Sequence, residues 1–468
     1  MNNLINFRKT VMRIIKILII ASITFSFIQT WVTHYTSSLF SRNGNYVVIF
    51  SFVFILVVFC SLYGAFKIGI YRIHELIYSF SLSILLTNFL MYLELSLIAR
   101  EMVAISPLLI NAIFQIVLAF VGCVCANTVY FKLYQARRLV AVFGDDATGF
   151  KLINRMSHIP ERFKIERGFN VNTTPIDAIK KAIVPYDGVI ICDIDKNIEK
   201  EIYAFCYSKQ KRIYMLPAIT DIIINHSYEI QIGDTPVIMS RNRGLSTEQI
   251  MLKRIMDILV SGVALIVGSP FMLIAALAIK LQDGGPVFFK QNRITKDGKI
   301  FNVLKFRSMI VDADKDGAKK AEVGDDRITK VGKIIRACRL DELPQLINVL
   351  KGDMSLVGPR PERIENVYEY SKEYPEFELR HKVKGGITGY AQLYGKYNTS
   401  PKDKLNMDLI YIETYSIIQD IKLLILTIKV LFMKESTEGF DSSANANVRP
   451  KNIKSTTENN DGTEQEKL

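Results

Sequence analysis

The sequence predicts an α-helical membrane bundle, then an α/β Rossmann-like cytosolic domain, then a second α/β, membrane-associated domain with a re-entrant helix. Three observations lead there. Four apolar runs lie before residue 135, each near the ~20 residues that cross hydrocarbon. Between 138 and 240, short apolar segments alternate with helical stretches. A further apolar run, Ile258–Ile279, is interrupted at Ser269-Pro270 and has basic residues on both sides.

Composition sets the bounds. The 468 residues leave room for two or three domains, and the 49% of hydrophobic residues is concentrated in the apolar runs. The formal charge is +13, with basic residues flanking the runs: Arg8, Lys9, Arg13 and Lys16, then Lys67 and Arg72, then Lys132, Arg137 and Arg138. Cytoplasmic loops facing anionic lipid have this pattern. No basic stripe with interleaved aromatics lies outside the membrane part, so nucleic acid is not an expected partner. The cysteines Cys60, Cys123, Cys125, Cys192, Cys206 and Cys338 make no zinc spacing and read as reduced thiols. The five histidines are scattered, so no histidine-based metal site is expected.

The bundle, residues 1–135, has its runs at Ile14–Trp31, Tyr46–Phe66, Leu76–Ile98 and Leu108–Phe131. No small-residue cleavage site follows the first, which reads as a retained span. The third carries Glu94, expected near an interface or packed against other helices in a structural role. The basic flanks put both ends of the bundle on the cytoplasmic side. Residues 136–245 form the α/β domain. Its strands are expected at Leu139–Phe143, Asp187–Cys192 and Arg212–Leu216, its helices around Ala147–Ser157, Ile176–Ala182 and Ile198–Lys209. The turn from Gly144 to Gly149 lacks the GxGxxG glycines, and Asp145 and Asp146 would repel phosphate. A regulatory or scaffolding, non-catalytic domain is therefore expected.

The third part spans 250–437. Proline removes a helical hydrogen bond and kinks the chain. Lys253 and Arg254 before the run, and Lys280, Lys290 and Arg293 after it, suggest that both ends lie on one side. A re-entrant helix over 254–281, broken at Ser269 and Pro270, fits both facts; an ordinary kinked span is the alternative. Leu423–Phe432 is too short to cross and reads as interfacial. Residues 438–468 turn polar without periodicity and are expected to be disordered.

The densest chemical signal is RACRLDELPQLINVLKGDMSLVGPRP, from Arg336 to Pro361. Asp341 and Glu342 are adjacent carboxylates at an expected helix start, with Pro344 in the first turn. First-turn amides make an anion site there. One carboxylate could attack a phosphorus held by those amides while the other holds Mg2+; a plain helix cap is the alternative. Lys305, Arg307, Arg336 and Arg360 supply the cations that phosphoryl chemistry needs, although each singly could be a solvated surface charge. Asp325, Asp326 and the Asp312/Asp314 pair could bind metal or simply line surface loops.

These residues resemble the bacterial sugar transferase family, the monotopic phosphoglycosyl transferases. The resemblance rests on Lys253, Arg254 and Asp257, on Ser269-Pro270, and on GGPVFFKQNR, KFRSM, DDRITKVGKIIR, LDELPQLINVLKGDMSLVGPRPE, GITGYAQLYGKY and MDLIYIETYS, leading to Asp420. It covers about 180 residues in the family's order. The whole chain looks like the long polyprenyl glycosylphosphotransferases of exopolysaccharide, capsule or O-antigen synthesis. The resemblance implies that Asp341 attacks the sugar-bearing phosphate of a UDP-sugar and releases UMP. Undecaprenyl phosphate then takes the phosphosugar. Glu342 would bind Mg2+, with Arg336, Arg360 and Lys305 around the phosphates. A hexose donor is favoured, an N-acetylated sugar the alternative. The implied place is the bacterial cytoplasmic (inner) membrane, multi-pass among membrane lipid, with the catalytic domain facing the cytoplasm and a homo-oligomer possible. The sequence departs from the family's usual RVG at Arg293-Ile294-Thr295 and from PGITG at Gly385. Rival readings are a membrane-anchored scaffold with an inactive transferase domain and a phosphatase that passes the Asp341 intermediate to water.

Overall fold

The computed structural model describes residues 7–35, 44–144, 148–240, 244–311, 313, 325–395, 399–431, 454–458 and 464–467. The chain divides into two compact units between Leu216 and Pro217, and the two C-terminal strands go with the first.

The first unit opens with α1 (Arg8–His34), α2 (Gly44–Leu62), α3 (Ile73–Ala99) and α4 (Ser106–Leu133). Each is long and apolar enough to cross a membrane. In hydrocarbon a chain must satisfy its own backbone, which selects helices from such runs. Phe27 of α1 stacks on Phe52 of α2 with ring centroids 4.0 Å apart. Polar side chains join the helices inside: Asn88 Nδ2 donates to Gln115 Oε1 at 2.8 Å, and Ser26 Oγ donates to Asn111 Oδ1. Glu94 accepts from Ser51 Oγ at 2.6 Å, so it packs against α2.

The chain continues as β1 (Arg137–Phe143), α5 (Thr148–Ser157), β2 (Phe163–Asn170), α6 (Ile176–Ile183), β3 (Gly188–Cys192), α7 (Lys196–Ser208) and β4 (Arg212–Met215). The four strands are parallel, in the order β2-β1-β3-β4. β1 and β3, buried on both faces, are the runs the sequence predicts. β2, FKIERGFN, carries charges at three of its eight positions and gives no such signal. Asp145 and Asp146 lie outside the described residues. Part of the tail expected to be disordered carries structure: strand Lys454–Glu458 pairs with Glu464–Lys467 and adds parallel to β2. An edge strand offers unpaired backbone groups to any extended segment, whatever its composition.

The second unit starts earlier than the expected boundary near 245–250. α8 (Ile219–Asn225) buries Ile222 in the core of this unit, and β5 (Tyr228–Ile232) with β6 (Thr235–Met239) forms a hairpin. Next comes α9 (Thr247–Asp283), capped by Ser246 and Gln249 and ended by Gly284 at φ 68°. The hairpin β7 (Phe288–Ile294) and β8 (Ile300–Phe306) follows, then α10 (Lys330–Ala337), α11 (Gln345–Lys351), β9 (Ser355–Val357), α12 (Ile364–Glu373), β10 (Gly386–Thr388), α13 (Tyr390–Tyr394), α14 (Pro401–Glu413) and α15 (Ile417–Leu431). β9 and β10 pair in parallel at the centre.

α9 runs on through Pro270 as one hydrogen-bonded helix, where a break is expected from sequence. The proline leaves Ile266 O without its amide donor, and Ser269 Oγ donates to that carbonyl at 2.8 Å. Anchors hold both ends of α9 to the same unit. Lys253 Nζ donates to Asp420 Oδ2 at 2.5 Å and to Tyr411 Oη at 3.1 Å. Arg254 donates to the Val349 and Leu350 carbonyls at the end of α11. Asp257 Oδ1 accepts from Ser355 Oγ and Leu356 N, both at 3.0 Å. At the far end Ala275 and Ile279 pack with Phe306 and Ile335. The outward side leaves Val263, Ile266, Val267, Phe271, Ile274 and Leu277 exposed.

Candidate active site

The carboxylate pair lies in a single 3-10 turn, Leu340–Glu342, entered through Arg339 in the left-handed conformation at φ 53°. α11 begins at Gln345 with Pro344 as its N-cap, so Asp341 does not cap it and the expected helix-start anion site is not formed. The physical reason is the intervening turn: Glu342 N bonds to Arg339 O, and Leu343 N to Leu340 O, before α11 starts. The polarising groups are side chains instead. Lys305 near the end of β8 and Arg360 in the Pro359–Pro361 loop both donate to Glu342 Oε1, each at 3.0 Å.

That loop is braced from several directions. Gly386 N donates to Pro359 O at 2.9 Å, Arg380 Nη2 to Arg360 O at 2.8 Å, and Arg293 Nη1 to Pro361 O at 2.9 Å. Arg380 is itself buried beside Asp408, 2.8 Å away. Glu362 accepts from Lys404 at 3.3 Å and lies 4.0 Å from Arg293.

The charges separate the two carboxylates. Burial, and next the neighbouring Glu342, push Asp341 above its ordinary value, while Lys305 and Arg336 pull it back. Burial would raise Glu342 as well, but Lys305 and Arg360 outweigh it and hold that carboxyl far below the usual range. Burial lowers Lys305, and Glu342 raises Arg360. Glu362, facing Lys404, Arg380, Arg360 and Arg293, sits at about 2 despite its burial. Glu342 is therefore a fixed anion, and Asp341 is the more basic oxygen beside it.

Residues 248–434 match the profile of the bacterial sugar transferase family. Among relatives, the exopolysaccharide production protein PSS of Rhizobium leguminosarum bv. phaseoli is 41% identical over 188 residues, 38% of this chain and 94% of that one. The chain belongs to the bacterial sugar transferase family. This sugar transferase is also 37% identical over 262 residues to the UDP-N-acetylgalactosamine-undecaprenyl-phosphate N-acetylgalactosaminephosphotransferase of Aeromonas hydrophila, covering 53% of the chain and 59% of that relative. It is 40% identical over 229 residues to the UDP-glucose:undecaprenyl-phosphate glucose-1-phosphate transferase of Klebsiella pneumoniae, covering 48% and 49%. The match thus spans about half to three-fifths of these two relatives' lengths.

The structure of the sugar transferase brings Asp341, Glu342, Lys305 and Arg360 together, with Arg336 near enough to act on Asp341. It does not bring Arg307 to them. That guanidinium is buried against Asp283 at the end of α9, because Arg307 lies just past the end of β8, where its backbone N–H bonds to Val287 O and the Asp283 carboxylate takes its side chain. Asp325 is taken by Arg327 at 2.7 Å, and Asp312 and Asp314 lie outside the described residues. Among the described residues no three acidic, histidine or cysteine side chains group as a metal cage. The bracing residues Arg380 and Lys404 escape sequence reasoning, since nothing near them repeats or spaces like a motif, and Asp408 lies in the quoted MDLIYIETYS segment with no role visible there. Arg293 and Glu362 stand inside the quoted segments but carry no visible role there.

Proposed function

We propose that the protein transfers a sugar-1-phosphate from a UDP-sugar to undecaprenyl phosphate, releasing UMP. The observation that carries this reading is the single acidic turn in which Glu342 is clamped by Lys305 and Arg360 while Asp341 stays the more basic neighbour. An Asp341 carboxylate oxygen attacks the phosphorus bearing the sugar. The bond from that phosphorus to the oxygen bridging it to UMP breaks, and UMP leaves with the electron pair. A phosphate oxygen of the lipid then attacks the acyl-phosphate, and the Asp341 carboxylate is the leaving group. Lys305, Arg336 and Arg360 stabilise charge on the transferring group.

Glu342, with one oxygen taken by two cations, and the adjacent Asp341 suit Mg2+, which binds one or two carboxylates and shares phosphate oxygens. Such an ion would neutralise the donor's diphosphate. The two anchored ends of α9 and its apolar outer side support a helix that bends at Pro270 without being broken and keeps both ends on one face of the membrane. A straight span of 37 residues, about 55 Å, would draw the polar unit along it into hydrocarbon. The active side then faces the cytoplasm of the inner membrane, where soluble donor and lipid acceptor meet. The names of the relatives divide between a hexose and an N-acetylhexosamine; we favour a hexose, and an exopolysaccharide or related glycan as the end product.

Membranes given radiolabelled UDP-glucose, UDP-galactose or UDP-N-acetylgalactosamine separate the readings. Lipid-extractable label with UMP release is expected from a hexose donor. Free sugar phosphate would mean a hydrolase, and no turnover a scaffold. Asp341→Asn should abolish both transfer and the phosphosugar adduct seen by intact mass; normal transfer in that variant would remove Asp341 as nucleophile.

A further inference from the structure

At the end of the helical bundle where α1 begins and α4 ends lies a cavity of about 230 Å³. One wall is cationic: Lys9, Arg13 and Lys16, spaced four and three residues apart, line it from one face of α1. Another wall is aromatic: Tyr130 and Tyr134 of α4, with rings stacked at 4.5 Å. Buried Met12 and Ile68 complete the lining. The aromatic wall is fixed in place. Gly69, at φ +71°, presses on Tyr130 so closely that a Cβ would come within 2.1 Å of the ring, and the Arg8 guanidinium lies 5.0 Å from the Tyr134 ring centroid.

The bundle has little with which to neutralise this wall. The acidic residues before Arg137 are Glu75, Glu94 and Glu101. Glu75 accepts from Arg72 N at the start of α3, Glu94 accepts from Ser51, and Glu101 follows α3 at its other end. Three cations in a cavity whose described lining includes no carboxylate call for an anion from outside. The surface beside them says which kind. Ile17 and Leu18, 66% and 61% exposed, continue along α1 from the cationic wall into the apolar stretch. A charged pocket running into an exposed apolar helix face fits an amphiphile rather than a free ion. Anionic headgroups of the cytoplasmic leaflet attract basic side chains at such a position.

We propose that this cavity holds the phosphate headgroup of an anionic phospholipid, with its acyl chains along α1, as a lipid site separate from the transfer chemistry. The test uses the full-length protein in detergent, with native mass spectrometry after addition of phosphatidylglycerol, phosphatidylethanolamine or inorganic phosphate. The protein should retain phosphatidylglycerol in preference to phosphatidylethanolamine, and inorganic phosphate should not displace it. Lys9→Gln/Arg13→Gln/Lys16→Gln should lower that retention at least about tenfold. The charge-keeping Lys9→Arg/Lys16→Arg should hold the lipid, which separates loss of charge from loss of fold. Equal retention by the neutralised variant, equal retention of the zwitterionic lipid, displacement by inorganic phosphate, or loss of lipid from the charge-keeping variant would each overturn the proposal.

Discussion

Neighbouring carboxylates repel, and the site uses that repulsion. Because Glu342 is held ionised by Lys305 and Arg360, Asp341 is the member of the pair that titrates on the acid side. Its value is raised, and the proposed attack needs the carboxylate, so activity should be lost as pH falls through that raised value. The acid limb of kcat/KM should lie above the ordinary aspartate range, with unit slope. Lys305 is lowered by burial, so an alkaline limb should lie below the ordinary lysine range; a pH–rate profile measures both. Arg307 and Arg360 should part company. Arg360→Gln removes a clamp on the reacting charge and should cost about 10²–10³ in kcat, whereas Arg307→Gln, which releases Asp283, should lower the melting temperature and leave KM for the donor unchanged. The two departures from the family's usual pattern meet in space: Gly385 N donates to Thr295 Oγ1 at 3.0 Å, and Thr295 Oγ1 donates on to Asp353 O. A proline at 385 has no N–H to give, and a Cβ there would lie 2.5 Å from Pro361 Cγ. Gly385→Pro alone should destabilise by about 1–3 kcal/mol, and Thr295→Gly/Gly385→Pro by less than the sum of the single changes. A double-mutant cycle in denaturant reads that coupling.

At the level of elements, α9 depends on polar anchors more than on its apolar length. Its Lys253, Arg254 and Asp257, which the resemblance singles out beside the catalytic motif, bond to Asp420, to the end of α11 and to β9 instead of to the acidic turn. Lys253 and Asp420 are 8% and 0% exposed, so breaking the pair leaves a buried charge. Lys253→Met should cost about 3–5 kcal/mol, while Lys253→Met/Asp420→Leu should recover much of the loss; chemical unfolding in detergent distinguishes the two. If the double variant were as unstable as the single one, the pair would not be the anchor described. The same logic explains why Pro270 does not break the helix: Ser269 returns the missing bond locally.

At the scale of the whole molecule, the unit boundary falls at Leu216/Pro217, ahead of the composition change near 250. Ile222 is 4% exposed in the core of the second unit, and Asn406 donates to Pro217 O at 3.4 Å. A fragment beginning at Pro217 should therefore be more stable than one beginning at Ser246. The difference should be at least about 2 kcal/mol, the loss of one buried isoleucine. Melting curves of both fragments in the same detergent test this, and equal melting would place the boundary back near 246.

The sequence by itself determined the helical bundle, the buried strands β1 and β3, and the acidic pair with its lysine and arginine partners, because apolar length, continuous burial and dense motifs are written locally. Only the tertiary structure decided that Arg307 turns away, that Arg380 and Asp408 brace the loop of Arg360, and that residues 217–245 belong with the second unit. Those outcomes depend on which distant side chains share a buried volume, and one-dimensional spacing carries no information about that. Charge in particular is silent until folded: the same arginine is a surface ion, a phosphate ligand or a buried strut according to what desolvates it.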